Sequence, residues 1–65
     1  MAGETAEFEN VKAIKETDLA LLCEIDGEEY WIPKSQIDDE SEVYAEDHEG
    51  TLVVTEWIAK EKGLV

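Results

Sequence analysis

Leu19-Ala20-Leu21-Leu22-Cys23-Glu24-Ile25-Asp26-Gly27-Glu28-Glu29-Tyr30-Trp31-Ile32 is the stretch on which the fold turns. Leu19, Leu21, Cys23 and Ile25 alternate with Asp18, Ala20, Glu24 and Asp26, the two-residue period of a half-buried strand. Asp26-Gly27 supplies the positive backbone angles of a type I′ turn, and the β-favouring Tyr30, Trp31 and Ile32 follow. The reading is a tight hairpin in which Ile25 faces Glu28, Glu24 faces Glu29, Cys23 faces Tyr30, Leu22 faces Trp31 and Leu21 faces Ile32. One face then collects Leu21, Cys23, Ile25, Tyr30 and Ile32; the other holds Leu22, Trp31 and two opposed glutamates.

Beyond the hairpin, Pro33 has no amide hydrogen to donate and is expected to stop the ladder, with Lys34-Ser35-Gln36-Ile37 as a turn or a single 3₁₀ turn. Ser35 and Asp38 have the spacing of a weak capping box. Between Gln36 and Gly50 lie Asp38, Asp39, Glu40, Glu42, Glu46, Asp47 and Glu49, without one lysine. Within this run Val43 and Tyr44 suggest a short strand and Glu49-Gly50 a turn. Thr51-Leu52-Val53-Val54 is β-branched enough to be a strand.

The period then changes. Thr55 can cap a helix, Glu56 stands four before Lys60, Lys60 and Lys62 sit at the carbonyl end, and Gly63 can terminate it, so a helix over 56–62 is expected. Trp57 is read as a core anchor and Leu64 as returning to the core. Ala6 to Thr17 is open to two readings. Phe8, Val11 and Ile14 recur at intervals of three, and propensity mildly prefers a helix; the same residues could run Val11, Ala13 as a strand into a Glu16-Thr17-Asp18 turn.

The chain has 65 residues, 18 acidic and 5 basic, with a formal net charge of -13. Such a length allows one small domain, spanning 1–65 with residues 1–7 expected to be flexible, and a domain of this size buries only about 60% of its unfolded surface. Large composite active sites are thereby disfavoured. The charge disfavours direct binding to nucleic acid or an anionic membrane, because such binding draws its affinity from Lys and Arg replacing counterions, and the chain has no Arg. A field of this sign attracts basic protein surfaces. One cysteine excludes an internal disulfide and points to a reducing compartment. No apolar run approaches the ~20 residues of a membrane span, and the start has no signal-peptide pattern, so a cytoplasmic location is expected.

Chemistry is sparse. Cys23 and His48 form the only Cys/His pair, yet Cys23 falls on the inward hairpin face, where burial among acids should raise its pKa. Asp38-Asp39-Glu40-Ser41-Glu42 offers hard oxygen ligands but lacks the glycine and spacing of an EF-hand loop; it is read as a solvated acidic loop. No Gly-rich phosphate loop is present. Neither an enzyme nor a cofactor is expected. Trp31 either meets a protein or packs on Leu22 and Pro33.

The segment Lys12-Ala13-Ile14-Lys15-Glu16-Thr17-Asp18, with the string Trp31-Ile32-Pro33-Lys34-Ser35-Gln36 and the tail Gly50-Thr51-Leu52-Val53-Val54-Thr55-Glu56-Trp57-Ile58-Ala59, resembles a group of small acidic phage and prophage proteins of unassigned activity. The resemblance runs from Phe8 onward. It implies a mostly β fold, a small SH3-like β-barrel of four to five antiparallel strands with a short C-terminal helix, and the N-terminal segment as its first strand. It implies no reaction.

Together these readings lead to the expectation of a non-enzymatic protein that binds, and inhibits, a basic host or nucleic-acid-processing protein. The carboxylates of Glu24, Glu28, Glu29, Asp38, Asp39, Glu40, Glu42, Glu46, Asp47 and Glu49 would stand in for phosphates, with Trp31 and Tyr44 adding contacts. The alternative is an accessory module of a phage replication or recombination complex, which uses Trp31 and Tyr44 and leaves its partner active.

Overall fold

The computed structural model describes residues 4–65. It holds four antiparallel strands and a short C-terminal helix: β1 (Thr5–Glu16), β2 (Ala20–Ile25), β3 (Glu28–Pro33), a 3₁₀ turn (Lys34–Gln36), β4 (Glu49–Thr55) and α1 (Glu56–Glu61). The strands form one open sheet in the order β3-β2-β1-β4. Of the residues expected to be flexible, 1–3 lie outside the described residues, while Thr5, Ala6 and Glu7 pair with Thr55, Val54 and Val53. No helix among the described residues is long and apolar enough to cross a membrane.

The hairpin forms in the register its turn dictates, from Ile25 opposite Glu28 to Leu21 opposite Ile32 and on to Ala20 opposite Pro33. Asp26 (φ 53°) and Gly27 (φ 83°) take the positive angles of the turn. Pro33 does not stop the ladder but completes β3. In a two-residue hairpin the hydrogen-bonded pairs alternate outward from the turn, and the Lys34 N–H donating to the Leu19 carbonyl (2.8 Å) continues that alternation. Ala20 and Pro33 therefore form a non-hydrogen-bonded pair, where the ladder needs no amide hydrogen from proline.

Leu19 departs from the expected inward alternation and is 81% exposed. The Thr17 N–H donates to the Ala20 carbonyl (2.9 Å), and the Ala20 N–H donates to Thr17 Oγ1 (3.0 Å). These bonds leave Asp18 and Leu19 at the tip of the β1–β2 connection.

The N-terminal segment is a strand, and its spacing of three has a physical cause. The pairing of β1 shifts between Phe8 and Val11 against β4, and again between Ala13 and Lys15 against β2. Each shift is a bulge that inserts one residue, and Asn10 sits at φ 60° inside the first. A strand interrupted by bulges spaces its inward residues by three as well as by two, which imitates a helix period. The two bulges also let one strand serve both neighbours: Thr5 to Lys12 pairs with β4, and Lys12 to Glu16 with β2.

The core comprises Val11, Ala13, Leu21, Cys23, Ile25, Ile32, Val43, Leu52, Val54, Ile58 and Ala59, with Phe8, Tyr30, Ile37 and Leu64 packed against it. Helix α1 starts where Thr55 Oγ1 accepts the Ile58 N–H (3.3 Å). It ends in paired bonds from the Gly63 N–H to the Lys60 carbonyl and from the Leu64 N–H to the Ala59 carbonyl, a Schellman motif that folds Leu64 back. Ile58 and Ala59 face inward. Trp57, one position earlier and so about 100° and 200° round the helix from them, is 61% exposed and not a core anchor.

Candidate functional site

Most acidic residues of interest lie between the 3₁₀ turn and β4, where a strand at Val43-Tyr44 was expected. No strand forms there. Ser41, the one buried polar residue among those described, makes the local structure. Its hydroxyl donates to the Val43 carbonyl (2.8 Å), and its oxygen accepts the N–H of Val43 (3.2 Å) and of Val53 (3.0 Å). With its backbone groups taken by Ser41, Val43 has none to offer a neighbouring strand.

This loop covers the second edge of β4. Ile37 bridges to Val54, the Asp38 N–H donates to the Val53 carbonyl (2.8 Å), and the Glu42 N–H donates to the Thr51 carbonyl (2.9 Å). The Glu42 carboxylate accepts the Thr51 N–H (2.9 Å). Gly50 makes room for it: a Cβ there would meet Glu42 Oε1 at 2.6 Å, at a backbone angle (φ 144°) that other residues rarely adopt. Glu49 and Gly50 belong to β4, opposite Lys12 and Val11, rather than to a turn. The turn lies just before, where the His48 N–H donates to the Ala45 carbonyl (3.1 Å) and Asp47 sits at φ 72°. Beyond it the Asp47 N–H donates to the Ala13 carbonyl, and the Ala13 N–H to the His48 carbonyl, each at 2.9 Å.

The carboxylates thus divide into two kinds. Asp38 and Glu42 serve the loop itself; Asp38 Oδ2 accepts the Glu40 N–H (3.0 Å) rather than forming a capping box with Ser35. Asp39, Glu40, Glu46, Asp47 and Glu49 are exposed and project from a backbone held at both ends.

A second group lies on the outer face of the sheet. Glu29 stands opposite Glu24, Glu24 opposite Lys12, and Lys12 opposite Glu49, one row across all four strands. Trp31, 43% exposed, stands opposite the buried Leu22 on the same face. Glu28 is not part of this row. It lies on the other side of β3, where its carboxylate accepts the Tyr30 hydroxyl proton (2.9 Å) and raises the pKa of that phenol.

Tyr44 does not join Trp31. It is exposed, with its ring edge-on to His48 (centroids 4.4 Å apart), and its N–H donates to His48 Nδ1 (3.4 Å). Together with Lys34, Ile37, Asp38 and Asp39 it lines an open groove of about 310 Å³. Beside the groove, Lys34 pairs with Glu16 at the end of β1, and the other Glu16 oxygen accepts the Glu46 N–H (3.1 Å). The Lys34 ammonium and that N–H hold the Glu16 carboxyl below its ordinary range. Glu16 and Ser41 were missed in the sequence. Nothing near Glu16 signals partners 18 and 30 positions away, whereas the small hydroxyl of Ser41, two residues before an apolar valine in an acidic run, was a legible sign of a local backbone bond.

Burial pushes the Cys23 thiol up to about 11, so it is a packed core group at neutral pH. Among the described residues no three His, Cys, Asp or Glu side chains are grouped so as to hold a metal ion. The chain matches no family model, no curated protein and no solved structure.

Proposed function

We propose that this is a non-enzymatic, cytoplasmic phage-type protein that binds a basic host or nucleic-acid-processing protein through its acidic loop, and inhibits it by occupying a groove meant for phosphates. The observation that carries the reading is the anchoring of residues 38–49. A solvated acidic loop needs no fixed path, whereas this one is tied to β4 by Ser41, Glu42 and Asp38 and to β1 by Asp47 and His48. Exposed carboxylates on such a backbone are spaced in advance, which lowers the ordering cost of meeting a fixed array of cations. Lysine does little to offset them: Lys34 pairs with Glu16, Lys60 pairs with Glu56, and Lys12, opposite Glu49, is shared with Glu24. In this reading the open sheet is a variant of a small SH3-like barrel, a relation supported by the Ile37–Val54 bridge beyond β4.

The second reading, an accessory module, is favoured by the exposure of Trp31 and Tyr44. Capture of partners from host lysate on the immobilised protein, followed by mass spectrometry and binding kinetics, separates the two. Changing Asp39, Glu40, Glu46, Asp47 and Glu49 to their amides should slow association and flatten its salt dependence if the loop is the contact. Trp31→Ala and Tyr44→Ala should then leave association unchanged. Fast dissociation of the aromatic variants with unchanged association of the amide variant would favour the accessory module.

A further inference from the structure

We propose that, beside the loop contact, the outer edge of β3 receives an extended, lysine- or arginine-bearing segment of the same partner as an added strand, an inference that rests on the acidic-partner reading above and adds a second point of contact. The opposite edge of the sheet is covered by the 38–42 loop, while no described segment pairs with the far side of β3. The alternation that makes Glu28, Tyr30 and Ile32 the hydrogen-bonded partners of β2 turns the N–H and C=O groups of Glu29 and Trp31 toward that free edge. Pro33, which lacks an N–H, closes the far end and limits the open ladder to these two residues.

The side chains on this edge select the occupant. Glu29 and Glu24 form a directly opposed like-charged pair at a non-hydrogen-bonded position, where Cα atoms approach to ~4.5 Å and like charges are unfavourable. Lys12 offsets Glu24 from the other side; no cationic side chain among the described residues pairs with Glu29. A cationic side chain on an added strand, opposite Glu29 on the outer face, would continue the alternation of charge across the row. The next outward position would lie beside Trp31, whose exposed ring can accept a cation or an apolar side chain. A second copy of this chain fits poorly, because it would bring two further glutamates to the same edge.

The probe is a capped nine-residue peptide with lysine at alternate positions and valine between, compared with the same peptide carrying proline at its centre. Strand addition predicts that amide exchange at Glu29 and Trp31 slows when the first peptide binds, and that the proline peptide binds at least roughly tenfold more weakly despite its equal charge. Glu29→Lys should weaken binding by a similar factor while raising the denaturation midpoint, since it relieves the clash with Glu24. Equal binding of both peptides, with perturbation confined to residues 39–49, would overturn the edge proposal and leave the acidic-loop reading standing. Absence of binding at low salt would overturn it too, as would a dimer of the free protein joined through β3. In both cases the acidic-loop reading is judged separately, by competition with nucleic acid.

Discussion

Cys23 shows how a single residue's surroundings decide its chemistry. Its sulfur lies in the core, and with its pKa pushed up to about 11 almost none of it is thiolate at neutral pH. Alkylation by iodoacetamide at pH 8 should be slower in the folded protein than in denaturant by about a hundredfold or more; equal rates would mean that Cys23 is not enclosed. Glu16 is the opposite case, a carboxylate favoured by Lys34 and by the Glu46 N–H. A depressed carboxyl contributes stability above its unfolded value of about 4.3, and loses it as pH falls through the lower folded value. Glu16→Gln should therefore lower the urea midpoint at pH 7 and converge with the parent protein toward pH 2. A variant indistinguishable from the parent at pH 7 would show that the tie is absent.

At the scale of elements, the β2–β3 hairpin and the β4 edge are held by different devices. Gly27 has open space where a Cβ would stand, so its constraint is the backbone angle alone. Gly27→Val should cost about 1 kcal/mol or more and Gly27→Asn much less, because asparagine tolerates the left-handed region. An unchanged midpoint for the valine variant would place Gly27 outside the turn. Ser41→Ala leaves the Val43 and Val53 N–H groups without their acceptor and should cost about 1–3 kcal/mol in the same measurement. The hairpin was legible because turn chemistry and side-chain period act over neighbouring residues. The loop was not, because Ser41 and Glu42 take up strand groups ten or more positions away, or nine for Glu42, and no local pattern encodes that. Residues 5–16 misled toward a helix through their bulges, and Trp57 misled through its size: a six-residue helix buries only the side that holds Ile58 and Ala59.

For the whole molecule the governing quantity is the net charge of -13. The sum was plain in the sequence; its distribution was not. Only the fold reveals that the Asp38 carboxylate is spent on the Glu40 N–H and that of Glu42 on the β4 edge, that Glu28 turns away from Glu24 and Glu29, and that Glu49 joins them across Lys12. Charge that is anchored but not neutralised should act over a Debye length, about 8–10 Å at physiological salt, and weaken as salt is added. In the proposed function this surface takes the place of nucleic acid on a basic partner. Its most direct test is competition between this protein and DNA or RNA for the captured partner, at two salt concentrations. Mutual exclusion is expected at low salt, with the partner's hold on this protein falling as salt rises. A complex that forms equally well with nucleic acid already in place, and an amide variant that binds normally at low salt, would contradict it.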